Sequence, residues 1–192
     1  MYLVALANNI SLHLRMAGYI SKDEEDVVSY YLQGLLSLLS VLLTVGIIAK
    51  VTSTVRISCI YYTVFFVGRY CCGGYHAKTS TKCYLLTLIT YTFFLIFYKA
   101  IYLFSFVHVI LFVLLLCSNM IIALFAPADT VNKPFSLKEK RTFRKKSLFF
   151  MMVCNLLYIV FQIQTSMLIS EKVAFICGFF QLACSVMIAK IE

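Results

Sequence analysis

Residues 101–125 read IYLFSFVHVILFVLLLCSNMIIALF, a run without a single Asp, Glu, Lys or Arg. At about 1.5 Å of rise per residue, such a helix exceeds the roughly 20 residues needed to cross the ~30 Å hydrocarbon core of a bilayer. Comparable runs at Val27 to Ala49, Thr52 to Val67, Tyr84 to Tyr98, Leu148 to Ser170 and Lys172 to Ala189 bring the expected spans to six. The second and third are short and need tilt or local thinning of the membrane. No ten-residue alternation suggests a barrel. With 62% hydrophobic and 13% charged residues, against roughly 25% charged in soluble domains, residues 1–192 read as one all-α, polytopic helical membrane domain. No cleaved signal peptide, internal repeat or nucleic-acid partner is expected.

Residues 1–20 read as an amphipathic interfacial helix preceding the spans. Asn8, Ser11, Arg15, Gly18 and Lys22 form a polar stripe opposite Leu3, Leu6, Ile10, Leu14 and Ala17. Ser21 and Glu24 match a capping box at the start of the first span. His13 reads as a partly buried surface histidine, and His108 as a hydrogen-bonding group inside the bundle.

Six spans put both termini, residues 68–83 and residues 126–147 on one side, which then carries thirteen Lys and Arg against Lys50, Arg56, Lys99 and Lys172 on the other. Cytoplasmic loops are enriched in Lys and Arg, so the first side is assigned to the cytoplasm. The basic run Lys138, Lys140, Arg141, Arg144, Lys145 and Lys146 follows Lys133, and its amphipathic pattern predicts a helix continuing into the fifth span. It serves to set topology and bind anionic membrane lipid, or to dock an acidic segment of a partner.

Five of the eight cysteines fall inside spans, where they read as packing residues. The remaining three, Cys71, Cys72 and Cys83, lie with His76 in a glycine-bearing polar interruption, residues 69–83, RYCCGGYHAKTSTKC. A cytoplasmic setting keeps these thiols reduced. A thiol attacks as its thiolate, and Cys83 opens a span where unpaired helix amides, Lys78 and Lys82 favour negative charge. His76 is the only histidine near it in sequence and is the natural proton shuttle. On one continuous helix the two would lie ~10 Å apart along the axis, so the intervening chain has to bend back. Gly73 and Gly74 give the backbone freedom for close approach to a peptide or for an oxyanion site. On chemistry alone a catalytic pair, a zinc site from Cys71, Cys72, His76 and Cys83, and a purely structural segment all remain open. Adjacent cysteines depart from usual zinc-ligand spacing, so no metal is expected.

At these residues the chain resembles the accessory gene regulator B (AgrB) family, membrane cysteine endopeptidases that process autoinducing-peptide precursors. Arg69, Gly73, Gly74, His76 and Cys83 match its first signature in order and spacing. Residues Ala126 to Pro134, including Asp129 and Asn132, match its second. The resemblance implies that Cys83 forms an acyl-enzyme thioester with a small amphipathic signal propeptide of the AgrD kind. An internal cysteine or serine of the precursor then closes a thiolactone or lactone. It further implies a bacterial cell-membrane location, a homodimer and no cofactor. Asp129 and Asn132 are candidate partners for His76. The competing class is a non-enzymatic membrane protein, a transporter or an adaptor. The expected spans hold no buried acidic residue and no inverted repeat, which argues against the transporter.

Overall fold

The computed structural model describes residues 2–75, 77, 79–128, 135–163 and 168–191. It is all-helical: α1 Tyr2–Met16, α2 Glu25–Val51, α3 Val55–Cys72, α4 Ser80–Ala100, α5 Val107–Phe125, α6 Leu137–Ile163 and α7 Ile169–Ile191, with one 3-10 turn at Ile101–Leu103. Five of these, α2, α4, α5, α6 and α7, are long and apolar enough to cross a membrane. The expected count of six is therefore not reproduced. α3 occupies the place of the second span, but Arg56 and Arg69 near its ends lower its apolarity. Leu43 and Ile47 of α2, Met120 and Leu124 of α5, and Met152 of α6 are all exposed. Such surface needs lipid rather than water.

The chain divides into two compact units, Met1–Ser53 with Ala77–Tyr91, and Thr54–His76 with Thr92–Glu192. In the first, α1 packs along α2. The expected polar stripe turns in part toward α2, while Asn8, Gly18 and Lys22 remain exposed. Ser11 is 1% exposed, Asn8 Oδ1 accepts a 2.5 Å bond from Ser29 Oγ, and Arg15 pairs with Glu25 at 2.6 Å. Asn8 and Arg15 thus find polar partners on α2, while Val4, Leu6 and Met16 are left exposed. His13 is exposed rather than half-buried. Ser21 does not cap α2, which begins at Glu25. Instead Ser21 N–H and Oγ–H both donate to Glu24 Oε2, at 2.8 and 2.9 Å. The backbone bond from Ser21, then the hydroxyl bond, holds the Glu24 carboxyl below its ordinary range.

In the second unit α7 is the central helix, packed against α3 and α5, with α6 against α3. Val173, Ile176, Phe179, Leu182 and Val186 are fully buried along it. Close approach depends on two glycines. A Cβ at Gly68 would fall 2.2 Å from Leu182 Cδ2, and one at Gly178 would fall 2.5 Å from Tyr61 O. Small residues at such crossings let backbones touch where lipid supplies no hydrophobic drive. Asn119 and Asn155 exchange amide bonds of 2.8 and 2.9 Å between α5 and α6, the polar counterpart of the same device.

α7 also corrects the expectation of no buried acidic residue in the spans. It begins at Ile169, so Glu171 lies in its first turn, 2% exposed, and its Oε1 sits 2.6 Å from Arg56 Nη2 of α3. The adjacent Lys172 donates to Gln162 Oε1 at 3.2 Å. The expected fourth span starts later than Ile101, at Val107, and His108 is exposed in its first turn.

Candidate active site

Of the expected 68–83 loop, Arg69 to Cys72 complete α3 and Ser80 to Cys83 belong to α4, so Gly73, Gly74, Tyr75, Ala77 and Thr79 are its described non-helical residues. The last carbonyls of a helix have no partners within it and must find others. Here each is taken. Gly73 N–H bonds Arg69 O at 3.0 Å, Ala128 N–H bonds Cys72 O at 3.0 Å, and the buried Ser147 Oγ of α6 donates to Cys71 O at 3.1 Å.

Gly73 then forms a parallel bridge with Ala128. Its φ of +72° is one that side chains with a Cβ rarely adopt, and a Cβ there would lie 2.2 Å from Ala128 O. Gly74, at φ +138°, is pressed on α7, where its Cβ would meet Ser185 Oγ at 2.7 Å. Arg69 reaches across the same junction. Its Nη1 donates to Ser185 Oγ at 3.0 Å and its Nη2 to Tyr75 O at 2.7 Å. The two glycines thus serve close packing of backbone on backbone, and Arg69 holds the chain that leaves α3.

His76 lies outside the described residues, as do Lys78, Asp129, Asn132 and Lys133. Arg69, Gly73 and Gly74 belong to the second unit and Cys83 to the first. Cys83 is half-buried near the start of α4. Thr79 caps that helix, its Oγ1 accepting from Lys82 N–H at 3.3 Å. Cys83 N–H makes a 3.0 Å bond to Thr79 O. Cys72, the neighbouring thiol in sequence, is fully buried. Among the described residues no group of three or more His, Cys, Asp or Glu could hold a metal ion.

The basic run expected as loop 126–147 is largely helix. Ser136 and Glu139 form a reciprocal capping box at the start of α6, with bonds of 2.9 and 3.3 Å. That start turns Lys138 to Lys146 into the polar first turns of a long apolar helix, as the amphipathic pattern predicts. Lys140, Arg141, Arg144 and Lys145 line an open groove of about 620 Å³ against Ala126 and Pro127, joined by Lys190 of α7. Arg144 is also committed structurally, donating to Ala123 O and Ala126 O at the carboxyl end of α5. Lys146 lies over the rings of Tyr70 and Phe143, at 5.4 and 5.0 Å.

Ser185, Ser147, Thr79 and Lys190 have no place among the sequence-derived site residues. Thr79 is a preferred capping type directly before a helical run. Ser185 carries no local signal, since its partners lie more than a hundred residues away.

A search of curated proteins returned no match, and neither did a search of solved structures. The family model for accessory gene regulator B matches residues 5–188, nearly the whole chain. With its helical membrane architecture, the chain belongs to the accessory gene regulator B family, which takes part in autoinducing-peptide processing.

Proposed function

We propose that this protein is a membrane-embedded cysteine endopeptidase that cleaves a signal propeptide through Cys83 and passes the acyl group to a nucleophile of the same precursor. His76 accepts the Cys83 proton as the sulfur attacks the scissile carbonyl. The tetrahedral adduct collapses to a thioester, and the proton moves from His76 to the departing amine of the acidic tail. An internal cysteine or serine of the precursor then attacks the thioester, closing the ring and returning the proton to Cys83. When that nucleophile is a thiol, one thioester replaces another, so proximity and exclusion of water do most of the work.

The observation that carries this reading is the family match over residues 5–188, together with both signature segments tied at the end of α3 through Gly73 and Ala128. Asp129 follows Ala128 directly and Asn132 lies three residues beyond it in sequence; both are the proposed partners of His76. Lys140, Arg141, Lys145 and Lys190 offer positive charge to an acidic tail, with Lys133, Lys138 and Lys146 nearby in sequence. Arg144 contributes charge while holding α5.

With α3 taken as a sixth crossing, the site and both termini are proposed to lie at the cytoplasmic face of a bacterial cell membrane, the side richer in Lys and Arg. Arg56 and Lys172, two of the four cations assigned outside, are tied to Glu171 and Gln162, which weakens them as competing topology signals. A homodimer is the proposed assembly. The test is reconstitution of the membrane protein with an acidic-tailed propeptide. Wild type releases the tail, whereas Cys83→Ala and Cys83→Ser insert normally and release none. Processing by Cys83→Ala at the wild-type rate would refute the proposal and favour an adaptor or transporter.

A further inference from the structure

We propose that Ser185 of α7 is a positioning residue for the reaction, acting on His76 through the backbone of Tyr75. The inference rests on the reading of His76 as the proton shuttle.

Both backbone polar groups of Tyr75 are held. Its N–H makes a three-centre bond to Ser185 O at 2.9 Å and Ser185 Oγ at 3.1 Å. Its carbonyl accepts from Arg69 Nη2 at 2.7 Å, and the other arm of that guanidinium donates to the same Ser185 Oγ at 3.0 Å. Ser185 therefore grips the residue directly before His76 and also fixes the arginine that grips its other end. Gly74 leaves no space between the chain and the hydroxyl, since a Cβ would lie 2.7 Å from Oγ. The segment reaches His76 already anchored to the central helix.

The hydroxyl is separable from the fold. Leu182, Ala183 and Val186 of the same helix are fully buried and supply the packing. Ser185→Ala removes one acceptor while the Ser185 carbonyl still bonds Tyr75. What it removes is the hydroxyl shared by Tyr75 N–H and Arg69 Nη1, which loosens the hold on the residue directly before His76. Proton transfer demands heavy atoms within hydrogen-bond reach, and a displacement of about 1 Å can cost about 100-fold in rate.

The experiment uses full-length protein in lipid nanodiscs with an acidic-tailed propeptide. Single-turnover acylation is measured alongside the pH dependence of Cys83 alkylation by a neutral reagent. Expected for Ser185→Ala is a 10- to 100-fold slower acylation with KM nearly unchanged, and an alkylation profile displaced toward that of His76→Ala. Ser185→Thr, which keeps the hydroxyl, recovers most of the rate. Wild-type acylation and profile in Ser185→Ala, with His76→Ala inactive, would overturn the positioning role alone. A loss of folded protein whose remaining fraction keeps the wild-type profile would overturn it too, as purely structural. Normal processing by His76→Ala would remove the reaction itself and the proposal with it.

Discussion

Gly73 and Ala128 form a parallel backbone bridge that joins the end of α3 to the chain leaving α5. The contact links the segment running toward His76 with the segment running toward Asp129, more than fifty residues apart. A Cβ at position 73 would meet Ala128 O at 2.2 Å, in a backbone conformation at φ +72° that already disfavours one.

Gly73→Ala is therefore expected to destabilise the protein by about 1–3 kcal/mol, the scale of a strained backbone position, and to reduce processing more than stability explains. Thermal unfolding in detergent and tail release, measured on the same preparation, check both. Gly34→Ala is the control, because a Cβ there meets nothing within 4 Å.

The basic residues of α6 separate into two classes. Arg144 donates to the last carbonyls of α5, and hydrogen bonds to a charged group contribute about 1.5–3 kcal/mol each. Arg144→Gln is expected to lower stability. A double Arg141→Gln, Lys145→Gln change, at exposed cations lining the groove, should leave stability nearly unaltered. It should raise KM for an acidic-tailed precursor several-fold and flatten its salt dependence, because screening acts within a Debye length of ~8 Å. Labelling of an engineered cysteine must first show that the orientation is kept.

Arg56 and Glu171 give a test away from the site. Removing one partner of an ion pair leaves the other uncompensated, at about 3–5 kcal/mol when both are buried. Arg56 is 77% exposed on its side chain and Glu171 only 3%. Arg56→Ala leaves the buried Glu171 carboxylate uncompensated and is expected to cost about 3 kcal/mol. Glu171→Gln added to it should recover most of that, while processing by the folded fraction stays at the wild-type level. Reversible unfolding in mixed micelles measures each variant and the double-mutant coupling.

Hydropathy made most of the spans legible, because crossing a bilayer constrains length and apolarity together. It did not settle α3, whose Arg56 and Arg69 make the same stretch read as span or as loop. Polar contacts were the least legible part. The α1 stripe from Asn8 to Arg15 has the period of a surface helix, yet it pairs with Ser29 and Glu25 of α2. Nothing local distinguishes water from a polar partner. Ser136 and Glu139 carry the same capping spacing as Ser21 and Glu24, and of the two only the former is the full reciprocal box. His76 and Cys83 stood out as candidates by residue type, but their spacing left several readings open and the family resemblance singled out the pair. Arg69, Gly73 and Gly74 were recognisable by their pattern, while their partners Ser185 and Ala128 emerge only when the helices are assembled.

The central claim is a covalent bond between Cys83 and the precursor. Mixing the reconstituted protein with a propeptide whose internal nucleophile is replaced by alanine blocks ring closure and should let the thioester accumulate. Intact-mass analysis is expected to show the enzyme heavier by the precursor fragment without its acidic tail. The adduct should map to Cys83, be released by hydroxylamine, and be absent in Cys83→Ala and His76→Ala. Tail release at the wild-type rate with no adduct on Cys83, or an adduct on Cys71 or Cys72 in its place, would contradict the account.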